Sequence, residues 1–284
     1  MAFIKSINTA PNSQRWEVTY ERDFTTGGLD NDYRDAAENN PYTVAGTVGT
    51  ADWVAWADVG TLASNQNYTS AGGMGFNSSG IQIAPSIVAA YDSSNYWDTW
   101  MNAPRIVAPL DELVPGHDDQ DMVCIQLYAL ASRTFATDYE FMGLCMGLNA
   151  QRDNDNMFAL ASAQYNGALK TFAVRGNTGA NETMESMPTY FEIIIYPGIN
   201  QTRIATGTWD GDFPSPGQGH ALSAYQANHD SCAGLTSANT YIGLVASTCY
   251  FGGGTATAFT ATAKKIRVSK LEAIEHSTNG LSCV

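Results

Sequence analysis

One stretch constrains the fold of this chain more than any other: Thr189-Tyr-Phe-Glu-Ile-Ile-Ile-Tyr196, which is followed by Pro197-Gly198. Every second residue from Phe191 to Ile195 is apolar, whereas the residues between and beside them, Tyr190, Glu192, Ile194 and Tyr196, are mixed. This alternation predicts a β-strand with one face in a core and the other face partly in water. Pro-Gly should end the strand, because proline cannot donate to the ladder and glycine permits a turn.

The same alternation recurs elsewhere and predicts further strands. In one segment Val123, Ile125, Leu127 and Ala129 form a fully apolar face. Residues 141–148 are apolar on both faces, which is typical of a central strand. Asn166-Gly167 between two apolar segments is a strong short signal for a β-hairpin. Because no helical period of useful length appears, we predict an all-β chain.

The last predicted strand contains a change of parity. Ile266 and Val268 share one face, whereas Leu271 and Ala273 have the other parity. A β-bulge adds one residue to a strand and so reverses the alternation, and we therefore expect a bulge near Ser269–Lys270.

Composition and charge exclude several classes of partner. Of the 284 residues, 44% are hydrophobic, only 15% are charged and 26 are glycine, which suits a turn-rich β protein. The formal net charge of −14 argues against binding to nucleic acid or to anionic lipid, because both require a basic surface. No apolar run approaches the length of a membrane span. The first residues lack the apolar stretch of a secretion signal, so we expect synthesis in a host cytoplasm without export.

We expect a single domain between two polar ends. Residues 1–14 are predicted to be an N-terminal arm, residues 15–275 a sandwich domain and residues 276–284 a C-terminal tail. The five cysteines include no Cys-x-x-Cys, and the sequence leaves open whether Cys232 and Cys249 form a disulfide.

A series of strand-like phrases follows one another along the chain: Trp16–Phe24, Gly80–Ile83, Glu140–Leu148, Asp155–Leu160, Tyr190–Ile195, Tyr241–Val245 and Lys265–Val268. Taken in this order, they resemble the strands of the concanavalin A-like lectin/glucanase jelly roll in its laminin-G-type variants, as found in phage virion proteins. The resemblance covers residues 15–275 and implies a two-sheet antiparallel jelly-roll sandwich with long loops. It implies much less about function, because one architecture carries many activities.

The motifs of the enzymes with this fold are not found. Glucanases of this fold carry Glu-x-Asp-x-x-Glu on one strand, whereas the Ile-rich strand here holds a single carboxylate, Glu192, which we expect to be a solvated outward side chain. Gly-x-Ser-x-Gly and His-Glu-x-x-His do not occur either. We therefore predict no catalytic residues and a protein that is not an enzyme, with a glycoside hydrolase or polysaccharide lyase as the alternative.

Aromatic and acidic residues in the predicted loops are candidates for carbohydrate binding. We name Trp209, Asp210, Asp212 and Tyr250, because an exposed aromatic ring can stack on a sugar while an acid accepts hydrogen bonds from hydroxyls. The interpretation that we favour on general grounds is that such aromatics fasten long loops to the sandwich or form a subunit contact.

Two acidic runs, Asp153–Asn156 and Asp118–Asp121, could offer oxygen ligands to calcium. Neither fits an EF-hand loop, because Phe158 and Val123 stand where that loop needs glycine. Polar hairpin loops are the favoured interpretation, so we predict no cofactor, with calcium as the alternative.

The functional prediction is a structural protein of a tailed-phage virion: a capsid decoration, a head fibre or a tail component. It rests on the lectin-like resemblance, the acidic and lysine-poor composition and the polar ends suited to contacts in a symmetric assembly. The expected partners are capsid subunits or other virion proteins and further copies of the chain as a homo-oligomer, and the expected location is the virion. The alternative is a carbohydrate-binding module that attaches the particle to a cell-surface glycan.

Overall fold

The computed structural model describes residues 14–26, 32–33, 42–56, 74–83, 103–136, 138, 140–147, 158–175, 178–197, 201–218, 240–248 and 259–273. Its elements in chain order are β1 Gln14–Asp23, β2 Asp32–Tyr33, β3 Tyr42–Ala45, β4 Thr50–Trp56, β5 Met74–Asn77, β6 Gly80–Ile83, β7 Arg105–Pro109, α1 Leu110–Leu113, β8 Val123–Ala131, β9 Glu140–Gly147, β10 Phe158–Tyr165, β11 Ala168–Arg175, β12 Thr178–Thr183, β13 Tyr190–Tyr196, β14 Gln201–Gly207, β15 Tyr241–Thr248 and β16 Ala261–Ala273. Among these residues, no helix is long and apolar enough to cross a bilayer.

The strands form two antiparallel sheets that pack face to face. The first sheet has the order β14-β13-β8-β16-β6-β5-β2, and β1 also pairs with the long strand β16. The second sheet has the order β12-β11-β10-β9-β15-β7-β4-β3. One apolar core takes side chains from both sheets. The predicted fold class, an all-β two-sheet antiparallel jelly-roll sandwich, is confirmed.

Strand β13 occupies the position that its sequence predicts. Phe191, Ile193 and Ile195 are fully buried in the core between the sheets. Ile193 lies opposite Ile125 of β8 on one side and Ile204 of β14 on the other. Directly opposed residues of antiparallel strands share a face, so the inner positions of the three strands form one continuous surface. This surface is apolar on β13 and β8, whereas on β14 Thr202 and Thr206 flank Ile204.

The other face of β13 differs from the expectation. Glu192 points outward as predicted, but it is 0% exposed and not solvated. The alternation of a strand predicts the side on which a residue lies, whereas its burial depends on a chain segment that covers this face.

The predicted bulge near Ser269–Lys270 is wrong in position. The pairing of β16 with β8 runs without interruption through that point, and its register shifts between Ala263 and Lys265 instead. A shift does occur beside Ser269 in the pairing with β1, but the extra residue there belongs to β1, between Val18 and Tyr20. Residue 264 is the extra residue, so the buried parity changes from Ala263 to Ile266. The parity of Leu271 was misleading, because Leu271 lies opposite Trp16 of β1 and shares the outward parity of Arg267, so no residue is inserted before it.

The second sheet has apolar side chains on both faces. Every residue of β9 is buried, as the apolar run from residue 141 predicts. Met142 and Leu144 belong to the core, whereas Phe141 and Cys145 belong to a second apolar cluster on the outer face. Arg105 of β7 lies directly opposite Val245 of this cluster and is 1% exposed, so a charged group is buried on this face as well.

The hairpin between β10 and β11 has the predicted turn. Asn166 and Gly167 both have positive φ, 51° and 73°, as a two-residue type I′ turn requires. Their backbone N–H groups donate to the carboxylate of Asp138, each at 3.0 Å.

Candidate functional site

A row of polar residues crosses the outer face of the first sheet. Glu192 of β13 lies opposite Gln126 of β8, Gln126 lies opposite Arg267 of β16, and Arg267 lies opposite Glu21 of β1. We call Glu192, Gln126, Arg267 and Glu21 the outer row. Its members come from four strands whose inner positions are apolar, so the same alternation that builds the core places these polar groups side by side.

The segment Thr208–Gln218, which we call the crossing segment, lies on the outer row. The Pro214 carbonyl accepts a hydrogen bond from Gln126 Nε2 at 2.8 Å, and the Gly217 N–H donates to Glu192 at 3.3 Å. The Phe213 carbonyl accepts from Arg267 Nη1 at 3.4 Å. The crossing segment therefore contacts β13, β8 and β16 in turn.

Gly217 is required where it stands. Its φ is +81°, a left-handed conformation that favours glycine, and an added Cβ would lie 2.5 Å from Arg203 Nη1. This turn aims the Gly217 N–H at the carboxylate of Glu192.

Glu192 is the centre of a buried hydrogen-bond network. Its Oε2 accepts from the Tyr190 hydroxyl at 2.7 Å and from Gln126 Nε2 at 3.0 Å, and Cys124 Sγ lies 3.8 Å away. Burial, and then the charge of Glu192, raise the pKa of Tyr190 far above its usual range, so the phenol remains a donor. Burial likewise raises the pKa of the Cys124 thiol. A buried carboxylate needs hydrogen-bond donors. One donor to Glu192 is the Gly217 N–H of the crossing segment, so the network helps to hold the segment on the sheet.

The other half of the outer row is an ionic cluster. Glu21 accepts from Arg267 Nε at 2.6 Å and pairs with Lys265 Nζ at 2.9 Å. Asp212 of the crossing segment lies 3.2 Å from Arg267 Nη2 and 3.7 Å from Lys265 Nζ. Burial raises the pKa of Glu21, but hydrogen bonds from Arg267 and Lys265 outweigh it and leave the pKa below its usual value. The N–H of Phe213, and then Arg267, lower the pKa of Asp212.

Trp209 fastens the beginning of the crossing segment to the sheet. Its ring stacks on Tyr128 of β8 with centroids 4.6 Å apart and planes 7° apart. Phe213 meets the Trp209 ring edge-on at 4.7 Å. Fastening a loop is the role that we favoured for these aromatics from the sequence, and Trp209 and Phe213 have this geometry.

A cleft of about 410 Å³ opens beside the crossing segment. Trp209, Asp210 and Asp212 line it together with Tyr190 and Gln218, among other residues. Asp210 is exposed, and it makes no hydrogen bond or ion pair with the residues that the structure describes. The cleft therefore combines an aromatic wall with a carboxylate that is free to accept hydrogen bonds.

The structure brings together three of the four residues proposed for carbohydrate binding, Trp209, Asp210 and Asp212, at this cleft. The fourth, Tyr250, lies outside the described residues. Three further residues of this region, Tyr190, Gln126 and Arg267, were not predicted as site residues. The signal was present, because each is a polar residue at the outward parity of a strand whose inward parity is apolar.

A second buried acid, Glu140 of β9, has a partner of its own. Arg133 donates to both of its carboxylate oxygens, at 2.6 Å and 2.9 Å, and this hydrogen bonding raises the pKa of Arg133. The Ala136 N–H donates to the same carboxylate at 2.8 Å. Glu140 thus fixes the turn that precedes β9.

The acidic run Asp118–Asp121 uses its oxygens within the protein. Asp121 accepts from the Asp118 N–H at 2.7 Å and pairs with Lys270 at 3.0 Å, and Asp118 accepts from the Gln120 N–H at 2.9 Å. No group of three or more metal-ligating side chains occurs in the part of the chain that the structure describes. The run Asp153–Asn156 lies outside that part.

Comparisons with known proteins give similarity of fold only. No family model matches the sequence. No curated protein matches it. Among solved structures, a β-1,3-glucanase from Mycobacterium marinum is 10% identical, with a TM-score of 0.44 over 89% of this chain and 98% of that one. Alginate lyase A1-II′ of polysaccharide lyase family 7 is 11% identical, with a TM-score of 0.38 over 67% and 79%.

A bifunctional GH43-CE protein from Bacteroides eggerthii is 10% identical, with a TM-score of 0.40 over 79% of this chain. The match spans only 24% of the length of the Bacteroides eggerthii protein. These structures are concanavalin A-like jelly rolls. The prediction that the chain is not an enzyme is corrected at this point, because chains with this fold include a glucanase and a lyase. A missing Glu-x-Asp-x-x-Glu motif was too narrow a criterion, since the fold hosts different sets of catalytic residues.

Replacing Tyr190 with phenylalanine should lower the free energy of unfolding by about 1–3 kcal/mol, because a donor to the buried Glu192 carboxylate is lost. The matched control is Tyr128→Phe on the opposed position of β8, which keeps the ring that stacks on Trp209 and should change stability little. Urea unfolding followed by circular dichroism measures both. Equal effects of the two substitutions would contradict a network centred on Glu192.

Glu21→Gln should destabilise the protein at pH 7, and its effect should disappear in acid. The pKa of Glu21 is lowered in the folded state, so the stability it contributes is present above the unfolded value of about 4.3. That contribution is lost as the pH falls through the folded pKa. Unfolding curves from pH 7 to pH 3 for wild type, Glu21→Gln and the exposed control Glu17→Gln measure this difference. A stability difference that is constant over that range would refute the ionic role of Glu21.

Proposed function

We propose that this protein recognises glycans, and that the cleft beside the crossing segment is the binding site. The observation that carries the proposal is the placement of Asp210, a carboxylate without a partner in the described chain, beside the indole of Trp209. Carboxylate oxygens accept hydrogen bonds from sugar hydroxyls, and an indole ring packs against the apolar face of a sugar.

The side chains of the cleft are ordered while the crossing segment lies on the outer row, and this order favours binding. Trp209 is held by its stack on Tyr128, and its backbone N–H donates to Thr189 Oγ1 at 2.8 Å. Asp212 is held by Arg267 and Lys265. Side chains that are already ordered lose little conformational entropy when a ligand binds. The acids of the cleft repel anionic sugars, so a neutral glycan fits this site better than a uronate or a sialoside.

Asp210→Asn should weaken glycan binding without loss of stability, because Asp210 is exposed and its carboxylate contacts no described residue. A hydrogen bond to a charged group contributes on the order of 1.5–3 kcal/mol, so Kd should rise roughly ten- to a hundredfold. A broad glycan array, followed by calorimetry on the glycans it selects, measures this. The control is Asp119→Asn, which removes an exposed charge outside the cleft.

If the wild-type protein bound no glycan on broad arrays, the proposal would be overturned. Equal binding of a glycan by wild type and Asp210→Asn would overturn it as well. Incubation with the selected polysaccharide then separates recognition from cleavage. Release of reducing ends, or of unsaturated ends, would extend the function from binding to hydrolysis or lyase chemistry.

We also propose that the chain works as part of a virus particle, as a capsid decoration, a head fibre or a tail component. The support is compositional: the net charge is −14 with only 14 basic residues, and the chain is rich in glycine. Such a composition keeps a densely repeated protein soluble. Mass spectrometry of particles purified from the source should detect the chain at a fixed ratio to the major capsid protein. Its absence from intact particles would overturn this setting.

A further inference from the structure

The outer row is costly to bury. Glu192 and Gln126 are both 0% exposed beneath the crossing segment, and Gln126 Oε1 has no hydrogen-bond partner among the residues that the structure describes. A buried polar group without a partner destabilises the folded state, and apolar residues of similar volume hold a loop at least as well as a polar network does. The polar character of this face is therefore not explained by fastening the segment.

The contacts that hold the crossing segment differ in strength: the Pro214 carbonyl accepts from Gln126 Nε2 at 2.8 Å and Phe213 is 5% exposed, whereas several of the other polar contacts are weak. The Asp212 side chain is 74% exposed, so water screens its pairs with Arg267 and Lys265. Two of the other contacts, from Phe213 O to Arg267 and from Gly217 N to Glu192, are 3.4 Å and 3.3 Å long. The aromatic stack of Trp209 on Tyr128 lies at one end of the segment. Local opening of such a segment needs far less free energy than global unfolding.

The surface under the segment has the pattern of a binding surface. Along the outer row a carboxylate, an amide, a guanidinium and a second carboxylate follow one another, so acceptors and donors alternate. Four strands at about 4.8 Å spacing give the row a length of about 14 Å. Polyhydroxylated chains offer both donors and acceptors along their length, and a strip of this kind can match both.

We propose that the crossing segment is a lid, and that its opening exposes the outer row as a groove for an extended polyhydroxylated chain. The lid itself is independent of the proposed function, whereas the ligand class rests on it. In the closed state only the cleft is accessible, so a short glycan binds beside the lid. A longer glycan binds along the row only in the open state, and its apparent affinity is reduced by the small fraction of open molecules.

Cys124 is a natural reporter of this opening. It lies on the outer face beside Glu192 and is fully buried, as is Cys145 on the outer face of the second sheet. Burial raises the pKa of both thiols, that of Cys145 to about 12, so each reacts only after it is exposed to solvent. Opening of the lid exposes Cys124 alone, whereas global unfolding exposes both.

The test uses the full chain with Cys232→Ser, Cys249→Ser and Cys283→Ser, so that only these two thiols remain. Iodoacetamide labelling is followed by mass spectrometry. Tyr128→Ala removes the partner of Trp209 and should increase the labelling rate of Cys124 roughly tenfold, with no change at Cys145. Tyr128→Phe keeps the stack and should label at the wild-type rate. Hydrogen exchange of peptides from 208–218 and 190–196 provides a second readout, in which only the first should exchange faster in Tyr128→Ala.

The lid would be overturned if the labelling rates of Cys124 and Cys145 changed in parallel in every variant and if peptides 208–218 and 190–196 exchanged hydrogen at equal rates. The groove is tested on a glycan array that carries linear neutral glycans of increasing length. Tyr128→Ala should bind the longer glycans more strongly than Tyr128→Phe does, while the disaccharides show no gain. A labelling difference without retention of any glycan would leave the lid in place and overturn both the groove and the proposed glycan function.

Discussion

The burial of Phe191, Ile193 and Ile195 in one plane is the constraint on which the rest of the structure depends. Once these three side chains face the second sheet, the neighbours of β13 have no freedom of register. A slip of one residue would turn the apolar face of β8 outward and its polar face into the core. The same constraint aligns Glu192 with Gln126 and Arg267, so the core and the outer row result from one pairing.

The outer row and the crossing segment show how an outward strand position becomes a candidate site. An outward carboxylate on an uncovered sheet would be hydrated, and water would satisfy its hydrogen bonds. Here the crossing segment removes Glu192 from water and supplies the Gly217 N–H, while Tyr190 and Gln126 supply the remaining donors. Asp212 and Trp209 hold the segment from its exposed side, and they line the cleft as well. The residues that fasten the loop are thus also residues that a ligand would meet.

The sequence predicted the parts of this structure that follow from local rules. The alternation of 189–196, the double-sided burial of 141–147 and the turn at Asn166-Gly167 all follow from periodicity or backbone conformation. The burial of Glu192 was not predictable in this way, because it depends on a segment about twenty residues further along the chain. The bulge was misplaced, since Leu271 is an apolar residue on the outer face, opposite Trp16 of β1, and its residue type alone suggested the inner face. Trp209, Asp210 and Asp212 could be selected by residue type, but their common cleft with Tyr190 required the fold.

The second apolar cluster makes the outer face of the second sheet different from that of the first sheet. Phe141, Cys145 and Val245 are buried on the outer side of the second sheet, where Arg105 lies directly opposite Val245. The cleft, by contrast, opens on the outer side of the first sheet, so the two outer faces of the sandwich differ. If the cleft is the binding site and many copies are attached to a larger body, the first sheet of each copy has to face the ligand. An array of copies held in the same orientation would then combine many weak individual contacts into strong binding of the whole array.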